Sequence, residues 1–129
     1  MKVLFICRGN VARSQEAAAF YNALTGTRDA TSAGIEAIAG KPIHPLVLAC
    51  MAEVGQDMTG CTRKQLSEQM LAGIDQVITF VPPSEIDIEI PKAVNLIYWD
   101  VPDPRGKDLD EQRQVRDQIR SKVEALVGT

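Results

Sequence analysis

Apolar positions along this chain alternate between two periodicities. Short, nearly unbroken apolar runs (Val3-Leu4-Phe5-Ile6, then Val77, Ile78 and Phe80) read as strands buried on both faces. Between and beyond them apolar residues recur at helical spacing. A helix is predicted over residues 13–24, with Ala17, Ala18, Phe20, Tyr21 and Leu24 available for packing and Thr25-Gly26 ending it. Residues 29–32 can form a short strand. Pro45 suits the first position of a helix carrying Leu46, Val47, Cys50, Met51 and Val54, which Gly55 stops. Thr62-Arg63-Lys64-Gln65 has the form of a capping box, predicting a helix through Leu66, Met70 and Leu71 that ends at Gly73. Residues 75–80 form the third expected strand and 94–99 the fourth. The Pro82-Pro83 pair and the acidic stretch 84–90 with Pro91 lie between them as an irregular connection. Asp108 can cap a last helix whose Leu109, Gln112, Val115, Ile119, Val123 and Leu126 form a mostly apolar stripe.

Strands that alternate with helices imply an α/β fold in three layers, a four-stranded parallel sheet flanked by helices. Ligands in such sheets bind beyond the C-terminal ends of the strands. Cys7 ends the first strand, and Asp103 follows the fourth by only a few residues. The topology therefore permits both to reach one crevice.

Composition narrows the setting. The 129 residues suit one domain over residues 1–129, and 45% apolar with 24% charged residues are ordinary globular values. A formal net charge of −3 argues against a nucleic-acid surface, and no basic run suggests an anionic membrane. No stretch approaches membrane-spanning length, and Lys2, a short apolar run and Arg8 do not make a secretory leader. The cysteines, Cys7, Cys50 and Cys61, are odd in number and show no C-x-x-C spacing, which points to reduced thiols in the cytoplasm.

The chemistry is concentrated in Cys7-Arg8-Gly9-Asn10-Val11-Ala12-Arg13-Ser14. Five residues between cysteine and arginine let the backbone curl so that several N–H groups point inward, and the following helix adds the positive end of its dipole. An oxyanion enclosed by Arg8, Gly9, Asn10, Val11 and Ala12 then sits against a cysteine held as thiolate, a nucleophile near neutral pH. Arg13 can fold its planar fork over two oxygens of that anion. Gly9 and Asn10 tolerate the left-handed backbone such a loop needs, and Ser14 is placed to donate to the Cys7 sulfur. The spacing alone recurs by chance in about one chain in five of this composition. The preceding strand, the Gly-Asn pair and the following helix make it specific. No metal or cofactor is called for.

These residues resemble the signature of the low-molecular-weight protein tyrosine phosphatases and of the arsenate reductases that share their fold. The resemblance covers almost the whole chain, with Ser32-Ala33-Gly34 after the second strand, Pro42 to Pro45 before a helix, and Asp103-Pro104 near the end. It implies a cysteinyl-phosphate intermediate and assigns general acid–base work to Asp103, which would protonate the leaving oxygen and then activate water. Asp100 is the rival acid. Alternatively, the Asp-Pro pair serves only as a turn. His44 before Pro45 reads as a cap, Cys50 as core and Cys61 as a loop residue. Tyr98 and Trp99 either line the pocket mouth or pack in the core.

Departures from the family pattern bear on substrate. Aromatic residues usually follow the Asp-Pro pair in the phosphatases, whereas Arg105-Gly106-Lys107 follows it here and is closer to the reductases, as is Gln15 in place of proline. Thioredoxin-coupled reductases of the family carry two further cysteines after the third strand, and this chain has none there. Ala12 also replaces the common second loop cysteine, so an internal disulfide relay would need Cys50 or Cys61. The leading expectation is hydrolysis of phosphomonoesters, on a phosphorylated protein or a small molecule. The second is arsenate reduction or arsenate–thiol transfer that depends on an external thiol. The third is a non-catalytic module that binds phosphate or arsenate.

Overall fold

The computed structural model describes residues 1–128, and Thr129 lies outside the described residues. Four strands, β1 (Val3–Cys7), β2 (Ala30–Gly34), β3 (Gln76–Thr79) and β4 (Asn95–Tyr98), form one parallel sheet in the order β2-β1-β3-β4. The most apolar strand takes a central place: β1 is buried along its whole length and pairs with β2 from Val3↔Ala30 to Cys7↔Gly34. Edge strand β4 is largely exposed, as an edge facing water requires.

Three α-helices, α1 (Arg13–Thr25), α2 (Pro45–Ala52) and α3 (Leu109–Val127), complete the regular structure. Val3, Phe5 and Cys7 point into the larger core with Phe20, Tyr21, Val47, Met51, Ile119 and Val123. Leu4, Ile6 and Val77 face the other way. They are covered by Leu66 and Leu71, with Ile86, Ile88 and Ile90 packed alongside, so the third layer consists of a 3-10 turn (Glu68–Leu71) and the irregular 84–90 stretch. Trp99 belongs to the larger core, tilted against Phe5 at 6.0 Å and edge-on to Phe80 at 5.9 Å between centroids, while Tyr98 is exposed. His44 caps α2 by accepting from the Leu46 N–H at 3.1 Å, and Asp108 caps α3 through the Glu111 N–H at 2.9 Å. Among the described residues no helix is long and apolar enough to cross a membrane.

The helix expected from Thr62 to Gly73 does not form. Residues 62–66 are extended, because their backbone groups are taken by distant partners. The Lys64 carbonyl accepts from Gly34 N–H at 2.9 Å, Leu66 N–H donates to the Gly34 carbonyl at 2.8 Å, and Arg63 N–H donates to Lys41 at 2.8 Å. Gln65, read as the closing half of a capping box, instead accepts from Ala37 N–H and donates to the Ile35 carbonyl. Only Glu68–Leu71 winds into a turn. Backbone pairing to β2 thus prevails over a local helix signal.

Glu16 on α1 is fully buried, and neither carboxylate oxygen has a hydrogen-bond partner among the described residues. Burial raises its pKa to about 8, with nearby Arg116 opposing the rise. The same burial, with Glu16 adding to it, lifts the Cys50 thiol to about 11 and keeps it a neutral core group. A carboxyl at about 8 when folded and near 4.5 when unfolded retains its proton in the folded state over that interval. Its contribution is therefore most favourable below the lower value and is lost as pH rises toward the upper one, with a limiting slope of about 1.4 kcal/mol per pH unit. Glu16→Leu should be more stable than the parent by a margin that widens from pH 5 to 8. Denaturant midpoints measured across that range test this, and parallel pH profiles for the two proteins would refute it.

Candidate active site

β1 stops at Cys7 and α1 starts at Arg13, and the five residues between them close into a loop. The α1 N-cap is Ala12, which offers no capping side chain, so the first-turn N–H groups remain available to an anion. Asn10 turns the loop with φ of 54°, the one non-glycine residue in the left-handed region among those described. Gly9 does not share that conformation. Its lack of a Cβ matters because Arg105 Nη2 and Val11 Cγ2 would lie 3.1 and 3.2 Å from one.

Asn10 is fully buried and acts as the hub of the loop. Its Oδ1 accepts from Lys64 N–H at 2.8 Å and from Gln15 Nε2 at 2.9 Å, which fixes the orientation of the amide. Its Nδ2 donates to Ser14 Oγ at 2.7 Å, leaving the hydroxyl proton free to point at Cys7 Sγ, 2.9 Å away. The Asn10 backbone N–H reaches the same sulfur at 3.3 Å. Two donors thus converge on Cys7. Lys64 Nζ stands 3.4 Å from Asn10 Oδ1, and burial pushes the pKa of its ammonium down while the Cys61 and Cys7 sulfurs favour the charged form.

Arg13 is 6% exposed, and its Nη1 donates to the Phe80 carbonyl at 3.2 Å and the Val101 carbonyl at 3.0 Å. Its Nη2 lies 3.6 Å from Asp103 Oδ2, which brings the expected acid beside the expected anion clamp. Asp103 Oδ1 accepts from Arg105 N–H at 3.0 Å, so the Asp-Pro segment is also the turn its composition suggests. Asp100 is placed differently: its carboxylate meets Tyr98 Oη at 3.5 Å and does not line the cleft.

The cleft above the loop has a volume of about 390 Å³. Cys7, Gly9, Val11, Ala12 and Arg13 form its floor, with Leu46, Val47, Asp103 and Pro104 on its walls. Arg8 departs from its expected place around the anion, since its side chain turns outward to Glu85 at 2.6 Å and Glu36 at 3.2 Å. Asn10 and Ser14 act from beneath the floor.

Three contributors escaped sequence reasoning as parts of the site. Gln15 and Lys64 reach Asn10 from α1 and from the extended 62–66 segment, and no local pattern marks Lys64, which is 54 positions away. Gly34 ends β2 against the loop, where a Cβ would sit 2.7 Å from the Arg8 carbonyl oxygen, 2.8 Å from Asn10 N and 2.9 Å from Gly9 C. The Ser32-Ala33-Gly34 motif was the available signal, and close approach of backbone to backbone is its physical content.

Comparison with known proteins accords with this geometry. The sequence profile described as low molecular weight phosphotyrosine protein phosphatase matches residues 2–129. Arsenate reductase 1 of Staphylococcus epidermidis is 34% identical over 126 residues, which span 96% of this chain and 93% of that protein. A glutaredoxin arsenate reductase of Synechocystis is 34% identical over 134 residues, 98% of this chain and 96% of its own length. Among solved structures, a low molecular weight protein tyrosine phosphatase from T. tengcongensis superposes with a TM-score of 0.88 at 27% identity, covering 99% of this chain and 98% of that one. An arsenate reductase from Archaeoglobus fulgidus gives 0.80 at 29% identity, covering 99% and 100%.

Loop closure over Gly34 yields a direct test. Iodoacetamide should alkylate Cys7 ahead of Cys50 and Cys61, and inorganic phosphate should protect it. In Gly34→Ala the added methyl pushes the loop backbone away, and the phosphate concentration giving half protection should rise about tenfold or more, a loss of about 1.4 kcal/mol of binding. Circular dichroism should stay native. Unchanged protection in a folded Gly34→Ala protein would contradict the close approach.

Proposed function

The chain belongs to the low molecular weight phosphotyrosine protein phosphatase family, and on that premise we propose that it hydrolyses phosphomonoesters through a cysteinyl-phosphate intermediate. One observation carries this reading: Cys7, Arg13 and Asp103, far apart in sequence, line a single cleft, with Arg13 3.6 Å from the Asp103 carboxylate.

In the first step the Cys7 thiolate attacks phosphorus, forming an S–P bond while the P–O bond to the alcohol breaks. Asp103 gives its proton to the departing oxygen, so an alcohol leaves rather than an alkoxide. Loop amides and the Arg13 fork hold the equatorial oxygens, where negative charge concentrates as the bonds exchange. The fork is already aimed, because Phe80 and Val101 carbonyls fix it from behind. In the second step water attacks phosphorus, Asp103 takes a proton from it, and Cys7 departs as thiolate with inorganic phosphate released. Ser14 and the Asn10 amide donate to the sulfur at both ends of the cycle. The free thiols of Cys7, Cys50 and Cys61 fit a cytoplasmic setting.

A second reading is supported by the relatives that carry the name arsenate reductase. Arsenate would form the corresponding S–As bond with Cys7 and lose one oxygen as water. An external thiolate would then attack arsenic, displace Cys7 and leave joined to it. Buried Cys50, raised to about 11, is unsuited to resolving such an adduct.

Asp103→Ala should slow aryl phosphate hydrolysis by about 10²–10⁴-fold, least for leaving groups that need no proton. Asp100→Ala should do much less. Steady-state rates across a leaving-group series decide this, and a reversed order would transfer the acid role to Asp100. On the second reading, arsenate with a small thiol should be turned over and arsenate with thioredoxin alone should not. Brisk thioredoxin-dependent turnover would displace the hydrolase assignment.

A further inference from the structure

The upper part of the cleft has a chemical character that ester hydrolysis at Cys7 does not require. Arg63, Arg105 and Lys107 line its mouth, and no Phe, Tyr or Trp does. Apart from the His44 imidazole, an aryl leaving group would therefore find no aromatic ring to stack on.

These cations are only weakly neutralised. Arg8, Arg113 and Arg116 each hold a carboxylate oxygen within 2.9 Å. Among the described residues Arg63 and Arg105 pair with no carboxylate, and Lys107 reaches Glu111 only at 4.0 Å. Lys2, Arg28, Lys41, Lys92 and Lys122 have no carboxylate partner among the described residues either, but they do not line the cleft, whereas Arg63, Arg105 and Lys107 share it. Like-signed cations at the mouth of a cleft focus the local field and raise the concentration of anions there.

Position makes Arg105 more than a solvated surface charge. Its Nη2 lies 3.1 Å from where a Gly9 Cβ would be, so the guanidinium hangs directly over the anion loop. The Asp103 carboxylate holds its backbone N–H at 3.0 Å, which couples its position to that of the proposed acid. Arg63, also on the cleft lining, is steadied by a bond from its Nε to the Pro42 carbonyl at 3.1 Å.

Resting on the hydrolase reading, we propose that Arg105, Lys107 and Arg63 form a second anion subsite, and that the substrates are phosphomonoesters whose alcohol portion carries a further carboxylate or phosphate. The phosphoryl group occupies the loop floor and the second anion meets the cationic mouth. Arg105 is a specificity-determining residue in this arrangement, since it contacts the departing portion and not the reacting phosphorus.

Two non-hydrolysable probes separate the subsite from the chemistry: benzylphosphonate, and the same molecule bearing a carboxymethyl group on the ring. Their affinities are read by calorimetry and by protection of Cys7 from iodoacetamide, in wild type and in the Arg105→Gln/Lys107→Gln variant, with aryl phosphate turnover measured alongside. Wild type should bind the carboxylated probe about tenfold more tightly at low salt, and the ratio should fall to about twofold or less in the variant and in 0.5 M salt, where the Debye length is about 4 Å. Equal affinities in wild type, or a preference that survives both replacements, would overturn the subsite. Turnover without the preference would defeat the subsite alone. The preference without turnover would leave the subsite standing and defeat the hydrolase reading.

Discussion

The side-chain amide of Asn10 is where the anion loop is held shut. A loop whose N–H groups all point inward satisfies few of its own polar groups, and its backbone must pass through the left-handed region. Asparagine tolerates that conformation, and its amide supplies from the side chain what the backbone lacks. The oxygen collects N–H donors from Gln15 and Lys64, and the nitrogen orients Ser14 toward Cys7 Sγ. Replacing this buried amide would leave the Lys64 N–H without its acceptor and Gln15 Nε2 with the Thr62 carbonyl as its remaining short bond, which is more costly than losing the bonds alone. The extended 62–66 segment, the end of β2 and the start of α1 all converge on that one residue.

A second constraint is the disposition of charge around the cleft. Arg13 is nearly buried, so its guanidinium needs acceptors, and two main-chain carbonyls provide them without neutralising it. Asp103 stands off at 3.6 Å and divides its oxygens between Arg13 and the Arg105 N–H. One edge of the guanidinium is thus held by carbonyls, and the other faces the carboxylate proposed as the acid.

Much of this was legible in the sequence because its determinants are local. The Val3–Cys7 run, the caps at His44 and Asp108, and the loop from Cys7 to Ser14 each depend on neighbouring residues. The 62–66 segment shows the opposite case. Its residues satisfy a capping rule, yet Gly34 and Lys41 claim its backbone from some 20 to 30 positions away. Lys64 became part of the site by that same pairing, which is why no motif marked it. Arg8 illustrates a finer limit. Membership of the loop is a matter of sequence, whereas the outward turn of its side chain depends on Glu36 and Glu85, supplied by other loops.

Arg13 has an occupation that does not depend on reactivity. By binding the carbonyls of Phe80 and Val101 it fastens the start of α1 to the chain leaving β3 and to the chain leaving β4, as a rivet through three segments. A descendant that lost Cys7 would still need this arginine to keep those segments together. Retention of the arginine in a related chain is therefore poor evidence that the chain is an enzyme. The informative pair is the thiol and the Asp103 carboxylate, since loss of the 3.6 Å contact from Asp103 to Arg13 would leave both Arg13–carbonyl bonds in place.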